Sequence, residues 1–131
     1  MSFSSDIEKI AKKLNQSIES TVRATALELF GSIIDGTPVL TGRAKGNWQT
    51  SINEPITSIV DRTGETESIA ELKDVAGGSI AGKILWLSNN LPYIRRLEFD
   101  GHSSQAPAGM VRINVSRIKR IVRNAAKDNK L

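Results

Sequence analysis

The sequence predicts an α+β fold, in which a long N-terminal helix packs on a small antiparallel sheet and a C-terminal amphipathic helix closes the domain. Apolar residues recur every three or four positions at both ends of the chain, and strand-like segments lie between these ends. The chain has 131 residues, of which 39% are hydrophobic, and this is enough for one core. We therefore expect a single domain over residues 1–131.

The long helix is predicted over residues 5–34. Ser5 and Glu8 have the spacing of a capping box, in which each side chain accepts the backbone N–H of the other residue. An apolar stripe then continues as far as Ile33, and Gly36 follows the end of the pattern. At ~1.5 Å per residue this helix is ~45 Å long. It needs a long surface to pack on, either a sheet or a neighbouring subunit.

Residues 36–47 are predicted to form an interface loop. Small residues, among them Gly42 and Gly46, cannot hold a loop by packing alone, and we expect this loop to become fully ordered on assembly. Arg43 and Trp48 are of the residue types that dominate the energetics of protein interfaces. For Trp48 the sequence leaves burial in the core and a place in an interface equally open.

Residues 47–100 are predicted to hold the sheet and the short helices. The segment 47–58 is strand-like but contains Pro55, which favours an edge strand or a bulge. The segment 83–88 is apolar on both faces, which predicts a central strand with Trp86 in the core. Weaker helical spacing predicts short helices at 65–75 and 93–97.

The C-terminal amphipathic helix is predicted over residues 108–127, after a loop at 101–109. Residues 110–131 carry seven Lys or Arg against Asp128 alone, a net charge of +6 in a chain whose total is +4. The rest of the chain is therefore weakly acidic. A charge distribution of this kind indicates a directional contact with an acidic partner, whether protein or nucleic acid.

Two roles remain open for this basic helix. Its cations could contact DNA phosphates, but no aromatic residue is interleaved with them, and the apolar stripe on the same helix predicts that one side is buried. A solvated face that contacts acidic protein surfaces is therefore favoured over DNA binding. A membrane-surface helix is disfavoured further, since Trp and Phe are missing from its apolar edge.

The residues that could support catalysis are few. His102 is the single imidazole, and neither metal-ligand spacing nor an orienting carboxylate accompanies it or the nearby Ser104. No Gly-Lys-Ser/Thr follows Gly42 and Gly46, so these glycines do not form a P-loop. We expect no enzyme activity, no cofactor and no metal site.

The cellular setting is predicted from what the composition lacks. The chain has no cysteine, and no apolar run approaches the ~20 residues of a transmembrane helix. The N-terminus also lacks the apolar region of a signal peptide. We expect a soluble protein that is made in a cytoplasm and has no membrane contact.

Three motifs in order along the chain resemble those of the tail-completion or neck proteins of tailed bacteriophages, which lie at the head–tail junction. The motifs are Thr37-Pro38-Val39 with Thr41-Gly42-Arg43 and Gly46-Asn47-Trp48; Asn89-Asn90-Leu91-Pro92-Tyr93 with Leu97-Glu98-Phe99; and 105–112, Gln-Ala-Pro-Ala-Gly-Met-Val-Arg. The sequence departs from the motifs of this family at two places, and both affect the expected loop contacts. Leu40 stands where the family often has an acidic residue, and Asp100-Gly101 stands where the family has a more direct Phe-Gly.

The resemblance implies a structural virion protein that forms a homo-oligomeric ring, of six or twelve copies, in the neck or at the top of the tail. Such a ring joins a DNA-filled head to the tail. Its implied partners are the adjoining head–tail adaptor, tail terminator and tail tube or sheath proteins, with non-specific proximity to genomic DNA. The competing interpretation is a small basic DNA-binding protein.

The interface candidates come from the motifs and from the basic helix. They are Thr37, Pro38, Thr41, Gly42, Arg43, Lys45, Trp48, Pro92, Tyr93, Glu98, Arg117, Lys119, Arg120 and Arg123.

Overall fold

Helix α1 spans Phe3–Asp35 and is the longest element of the protein. The structure is a computed structural model, and it describes residues 3–39, 41–99 and 109–129. With 33 residues at ~1.5 Å each, α1 is ~50 Å long. The predicted helix over 5–34 is confirmed, but it begins earlier, so Ser5 lies inside the first turns and not at the N-cap.

Within the described residues, seven shorter elements follow α1. They are α2 (Arg43–Gly46), β1 (Gln49–Ile52), α3 (Thr66–Ala76), β2 (Leu85–Ser88), α4 (Ile94–Phe99), α5 (Val111–Val115) and α6 (Ile118–Asp128). The helices predicted at 65–75 and 93–97 correspond to α3 and α4. The predicted loop at 101–109 lies outside the described residues except for Gly109.

The two strands form one antiparallel sheet, in which Gln49 pairs with Ser88 and Ile52 with Leu85. β1 ends before Asn53, whose φ of 69° turns the chain away from the strand direction, so Pro55 lies outside the strand. The prediction that 83–88 forms a central strand is wrong for the described chain. β2 has only β1 beside it among the described residues.

Trp86 was expected in the core and instead is 38% exposed. In a strand, successive side chains point to opposite faces of the sheet. Leu87 packs against the core from one face, which leaves Trp86 on the other face. On that face the described chain covers Gln49 of β1, which is buried, but leaves Trp86 partly in solvent.

The predicted C-terminal helix over 108–127 is divided into α5 and α6. Arg117 departs from helical geometry with ψ of 3°, and its N–H donates to Asn114 O, three residues back, in a tightened turn. The bend lets both pieces face the body, since Asn114 in α5 and both Ile121 and Ala125 in α6 are buried. Ala108 lies outside the described residues.

The core forms where the C-terminal part of α1 meets the other elements. Ile33 and Ile34 pack there with Trp48, Leu72 and Met110. Helices α3, α5 and α6 pack along α1, and α3 in turn packs on β1. The α+β class, the long helix, the small antiparallel sheet and the closing helix are therefore confirmed, and α3 is the helix that packs extensively on the sheet.

Candidate interface surfaces

The segment from Thr37 to Trp48 is anchored inside the subunit at both ends. The indole Nε1–H of Trp48 donates to Thr37 Oγ1 at 2.8 Å, and the same hydroxyl donates to Ile33 O at 2.7 Å. Thr37 and Trp48 are only 2% and 5% exposed. The sequence left open whether Trp48 lies in the core or in an interface, and in the structure it lies in the core. Its ring fixes the exit of the chain from α1.

The middle of this segment is held by polar side chains from distant parts of the chain. Arg62 donates from Nε to Gly46 O at 2.8 Å and from Nη2 to Trp48 O at 3.0 Å. The amide of Asn89 donates to Ala44 O at 2.9 Å, and the hydroxyl of Ser68 donates to Lys45 O at 2.8 Å. These bonds satisfy carbonyl groups that an open loop exposes to water.

The glycines of the segment permit close backbone packing. Gly42 has φ of 82°, in the left-handed region, and its carbonyl accepts the N–H of Gly64 at 2.8 Å. A Cβ at Gly46 would lie 2.2 Å from Arg62 O. The predicted interface loop over 36–47 therefore needs correction, because it contains the helical turn α2, and the backbone carbonyls of Gly42 and of 44–46 are hydrogen-bonded within the chain.

Glu98 joins α4 to the start of α5. Its carboxylate accepts the backbone N–H groups of Met110, Val111 and Arg112, each at 2.8 Å, and the Arg112 guanidinium at 3.1 Å. Burial alone raises the pKa of Glu98, but these hydrogen bonds outweigh burial and hold the pKa below its usual value. Glu98 is 5% exposed and therefore stabilises the fold of the chain itself.

The fourteen interface candidates separate into two groups by burial. Thr37, Pro38, Gly42, Trp48 and Glu98 are buried, and Lys45 is half-buried beside Glu65. The exposed candidates are Thr41, Arg43, Pro92, Tyr93, Arg117, Lys119, Arg120 and Arg123. Only the second group presents side chains that a neighbouring molecule can contact in this conformation.

The N-terminal two thirds of α1 carries an uncovered apolar stripe. Every residue from 6 to 16 is exposed, and α6 reaches α1 at Ser17, whose hydroxyl donates to Asn129 O. The apolar stripe consists of five large aliphatic side chains that are 40–62% exposed, namely Ile7, Ile10, Leu14, Ile18 and Val22. The sequence predicted that this helix packs on either a sheet or a neighbouring subunit. The sheet does not cover the apolar stripe.

A second exposed surface lies on α6. Arg117, Lys119, Arg120 and Arg123 form this basic face, and none of the four makes an ion pair with a described residue. Ile118 and Val122 line a shallow depression between Lys119 and Arg123. The basic face thus combines a small apolar patch with cations that pair with no described carboxylate, which is a composition suited to contact with an acidic surface.

Outside these surfaces, the described part of the chain has few side chains grouped as in metal or catalytic sites. Across residues 3–39, 41–99 and 109–129, no three His, Cys, Asp or Glu side chains cluster as metal ligands do. His102 and Ser104 lie outside these ranges. Within the same ranges, no helix has the length and hydropathy to span a bilayer.

Comparison with known proteins gives no relative. No family model, no curated protein and no solved structure matches this chain. The resemblance to neck and tail-completion proteins is therefore carried by the quoted motifs alone.

Sequence reasoning missed the residues that brace the Thr37–Trp48 segment. Arg62, Ser68 and Asn89 lie in three separate elements or loops. Arg62 and Ser68 belong to none of the quoted motifs, and Asn89, which does, was not among the interface candidates. The available signal was indirect: a segment rich in small residues leaves carbonyl groups that need donors, and long polar side chains elsewhere can supply them.

Proposed function

We propose that this protein is a structural subunit of a tailed-bacteriophage virion that forms a ring in the neck or at the top of the tail and joins head to tail. The observation that carries the proposal is the apolar stripe on α1. Soluble monomers rarely leave large contiguous apolar patches in water, and those that do mostly use them to bind partners. The three motifs quoted above support the choice of partner class.

The size of the apolar stripe favours an assembly with more than one contact. Full burial of a Val, Leu or Ile side chain contributes about 1.5–3 kcal/mol, so covering the exposed part of five contributes about 5 kcal/mol. A micromolar complex requires about 8 kcal/mol after the costs of association. The stripe alone is therefore too weak for a stable pair, and a ring supplies a second contact to every subunit.

A ring of identical subunits needs two different surfaces that fit each other. The basic face of α6 is one candidate. A depression lined by Asp35, Glu65, Thr66, Ile69, Ala70 and Lys73 is the other. Its two carboxylates, of which Glu65 also pairs with Lys45, lie with Lys73 around the apolar Ile69 and Ala70. Opposite charge around apolar centres favours head-to-tail contact between copies. The adjoining adaptor, terminator, tube or sheath proteins are the proposed partners above and below the ring.

The substitution Ile10→Glu tests the apolar stripe. Ile10 is 62% exposed, so the melting temperature of the isolated subunit should change little, while ring formation and the yield of joined particles should fall at least tenfold, since a charge buried at a contact costs more than about 1.4 kcal/mol. Ring formation is measured by size-exclusion chromatography with light scattering, and joined particles are counted by electron microscopy.

Gln16→Glu is the matched control for Ile10→Glu. Gln16 is exposed on the opposite side of the same helix, so it adds the same charge without entering the apolar stripe. Wild-type ring formation and joining by Ile10→Glu would refute the proposed role of the stripe. Equal losses in both variants would show an effect of charge alone and would also count against it.

The basic face keeps a DNA-binding protein as the second candidate function. Under the proposed function, duplex DNA should bind weakly, without sequence preference, and with a steep loss of affinity as salt rises. Fluorescence anisotropy with a labelled duplex measures this. Sub-micromolar affinity at physiological salt that is lost when Arg117, Lys119, Arg120 and Arg123 are neutralised favours the second candidate instead.

A further inference from the structure

Strand β2 has an open backbone edge. The N–H of Asn53 donates to Ile84 O at 2.7 Å, and the N–H of Ile84 donates to Asn53 Oδ1 at 3.1 Å, so these two residues direct their polar groups toward each other. Alternate residues of an antiparallel pair face the partner strand and the opposite side. Leu85 and Leu87 therefore direct their N–H and C=O groups away from β1, where no described group bonds to them.

The other edge of the sheet is closed. The N–H of Thr50 in β1 points away from β2 and donates to the carboxylate of Glu71 at 2.9 Å, and α3 packs along this side. The sheet thus offers one edge for pairing, and that edge belongs to β2. A two-stranded sheet is marginally stable by itself and gains from further strands.

The side chains of β2 are those of a strand with neighbours on both sides. Ile84 and Trp86 are 61% and 38% exposed on the outer face, while Leu87 packs on the core. Edge strands in natural proteins commonly carry charges, prolines or bulges that prevent pairing. Between Ile84 and Ser88 the strand has none of these, and Lys83 lies just beyond its end.

We propose that β2 pairs in antiparallel orientation with β2 of a second copy of this chain, across a two-fold axis at Trp86. The outward backbone groups fix the register, since Leu85 of each copy must face Leu87 of the other to complete four hydrogen bonds. Trp86 then lies opposite Trp86 in a non-hydrogen-bonded pair, where Cα atoms are ~4.5 Å apart and side chains are closest.

The register is self-complementary in charge as well as in backbone bonding. Lys83 of one copy falls opposite Asn89 of the other, so no like charges meet. The result is a four-stranded sheet with closed inner edges. A contact of this kind is isologous and closes at two copies, whereas a ring needs head-to-tail contact, so the pairing does not depend on the proposed function.

Cysteine cross-linking tests the pairing, because the chain has no native cysteine. Trp86→Cys should form a disulfide-linked dimer under mild oxidation, since a Cα separation of ~4.5 Å lies within the range for disulfides. Ile84→Cys is the control on the same face and is more exposed, but the two copies of residue 84 lie ~13 Å apart in this register. Dimer formation by Trp86→Cys should be at least about tenfold faster than by Ile84→Cys.

A second measurement keeps Trp86 in place. Residue 84 of one copy faces residue 88 of the other in the proposed register, so a mixture of Ile84→Cys and Ser88→Cys chains should give the mixed dimer in excess over both like dimers. Gel electrophoresis of chains that differ by a small tag resolves the three products. Equal amounts of cross-linking at all positions, or cross-linking of β2 only to a different virion protein, would overturn the inference.

Discussion

Glu98→Gln should lower the free energy of unfolding by about 2–4 kcal/mol, because an amide cannot accept all the N–H groups that the carboxylate accepts. Met110, Val111 and Arg112 each donate a backbone N–H to Glu98, and the side chain of Arg112 adds a charged partner. The NH₂ group of the glutamine introduced by Glu98→Gln would also face these N–H donors and cannot accept hydrogen bonds from them. Urea denaturation followed by the fluorescence of buried Trp48 measures the loss, and exposed Glu67→Gln should change stability by less than about 0.5 kcal/mol.

The pH dependence of stability gives a separate check on Glu98. Its pKa is lowered in the folded state, so the folded protein holds the proton less tightly than the unfolded chain does. This contribution is fully present above the unfolded pKa and is lost as pH falls through the folded pKa. The stability difference between wild type and Glu98→Gln should therefore shrink in acid. A difference that stays constant across that range would contradict the role of the charged carboxylate.

Gly46→Ala should destabilise the isolated subunit by about 3 kcal/mol or more, because the added methyl group meets backbone atoms that cannot move independently. Its Cβ would lie 2.2 Å from Arg62 O and 2.5 Å from Arg62 C. Gly78→Ala is the control: its Cβ would meet Val75 O at 3.5 Å, an ordinary contact, and stability should change by under about 1 kcal/mol. Thermal unfolding of both purified variants compares them.

The outcome for Gly46 separates two interpretations of the segment around Trp48. A large loss of stability in the isolated chain means that Gly46 serves packing against Arg62. If Gly46→Ala subunits melt as wild type does but fail to assemble, the segment contacts a neighbour instead, and its description as an internal brace is wrong.

The long helices were the most predictable part of the fold. In α1, apolar residues recur every three or four positions over many turns. This periodicity is that of an amphipathic α-helix and of no other regular secondary structure. The division between α5 and α6 was not predictable, because neither Ser116 nor Arg117 is a helix breaker of the Gly or Pro type. The bend follows from packing of both pieces against one body, which is a tertiary effect.

The prediction for β2 shows what an apolar pattern can and cannot establish. Residues 83–88 are apolar on both faces, and this predicts neighbours on both sides without saying which chain supplies them. The same limit applies to the interface candidates. Thr37 and Glu98 were chosen as residue types in motifs, whereas their burial depends on Trp48 and on the N–H groups of Met110 to Arg112, all brought together by the fold.

The point at which α6 reaches α1 has a mechanical consequence. The hydroxyl of Ser17 donates to Asn129 O there, and α1 extends for ~21 Å on the N-terminal side of this contact. A rotation of this part of α1 by about five degrees about the Ser17 contact moves the N-terminal end of the helix by about 2 Å. In the proposed ring, copies with identical cores could therefore place Ile7 and Ile10 at slightly different radii, so the ring could adjust its diameter without repacking any core.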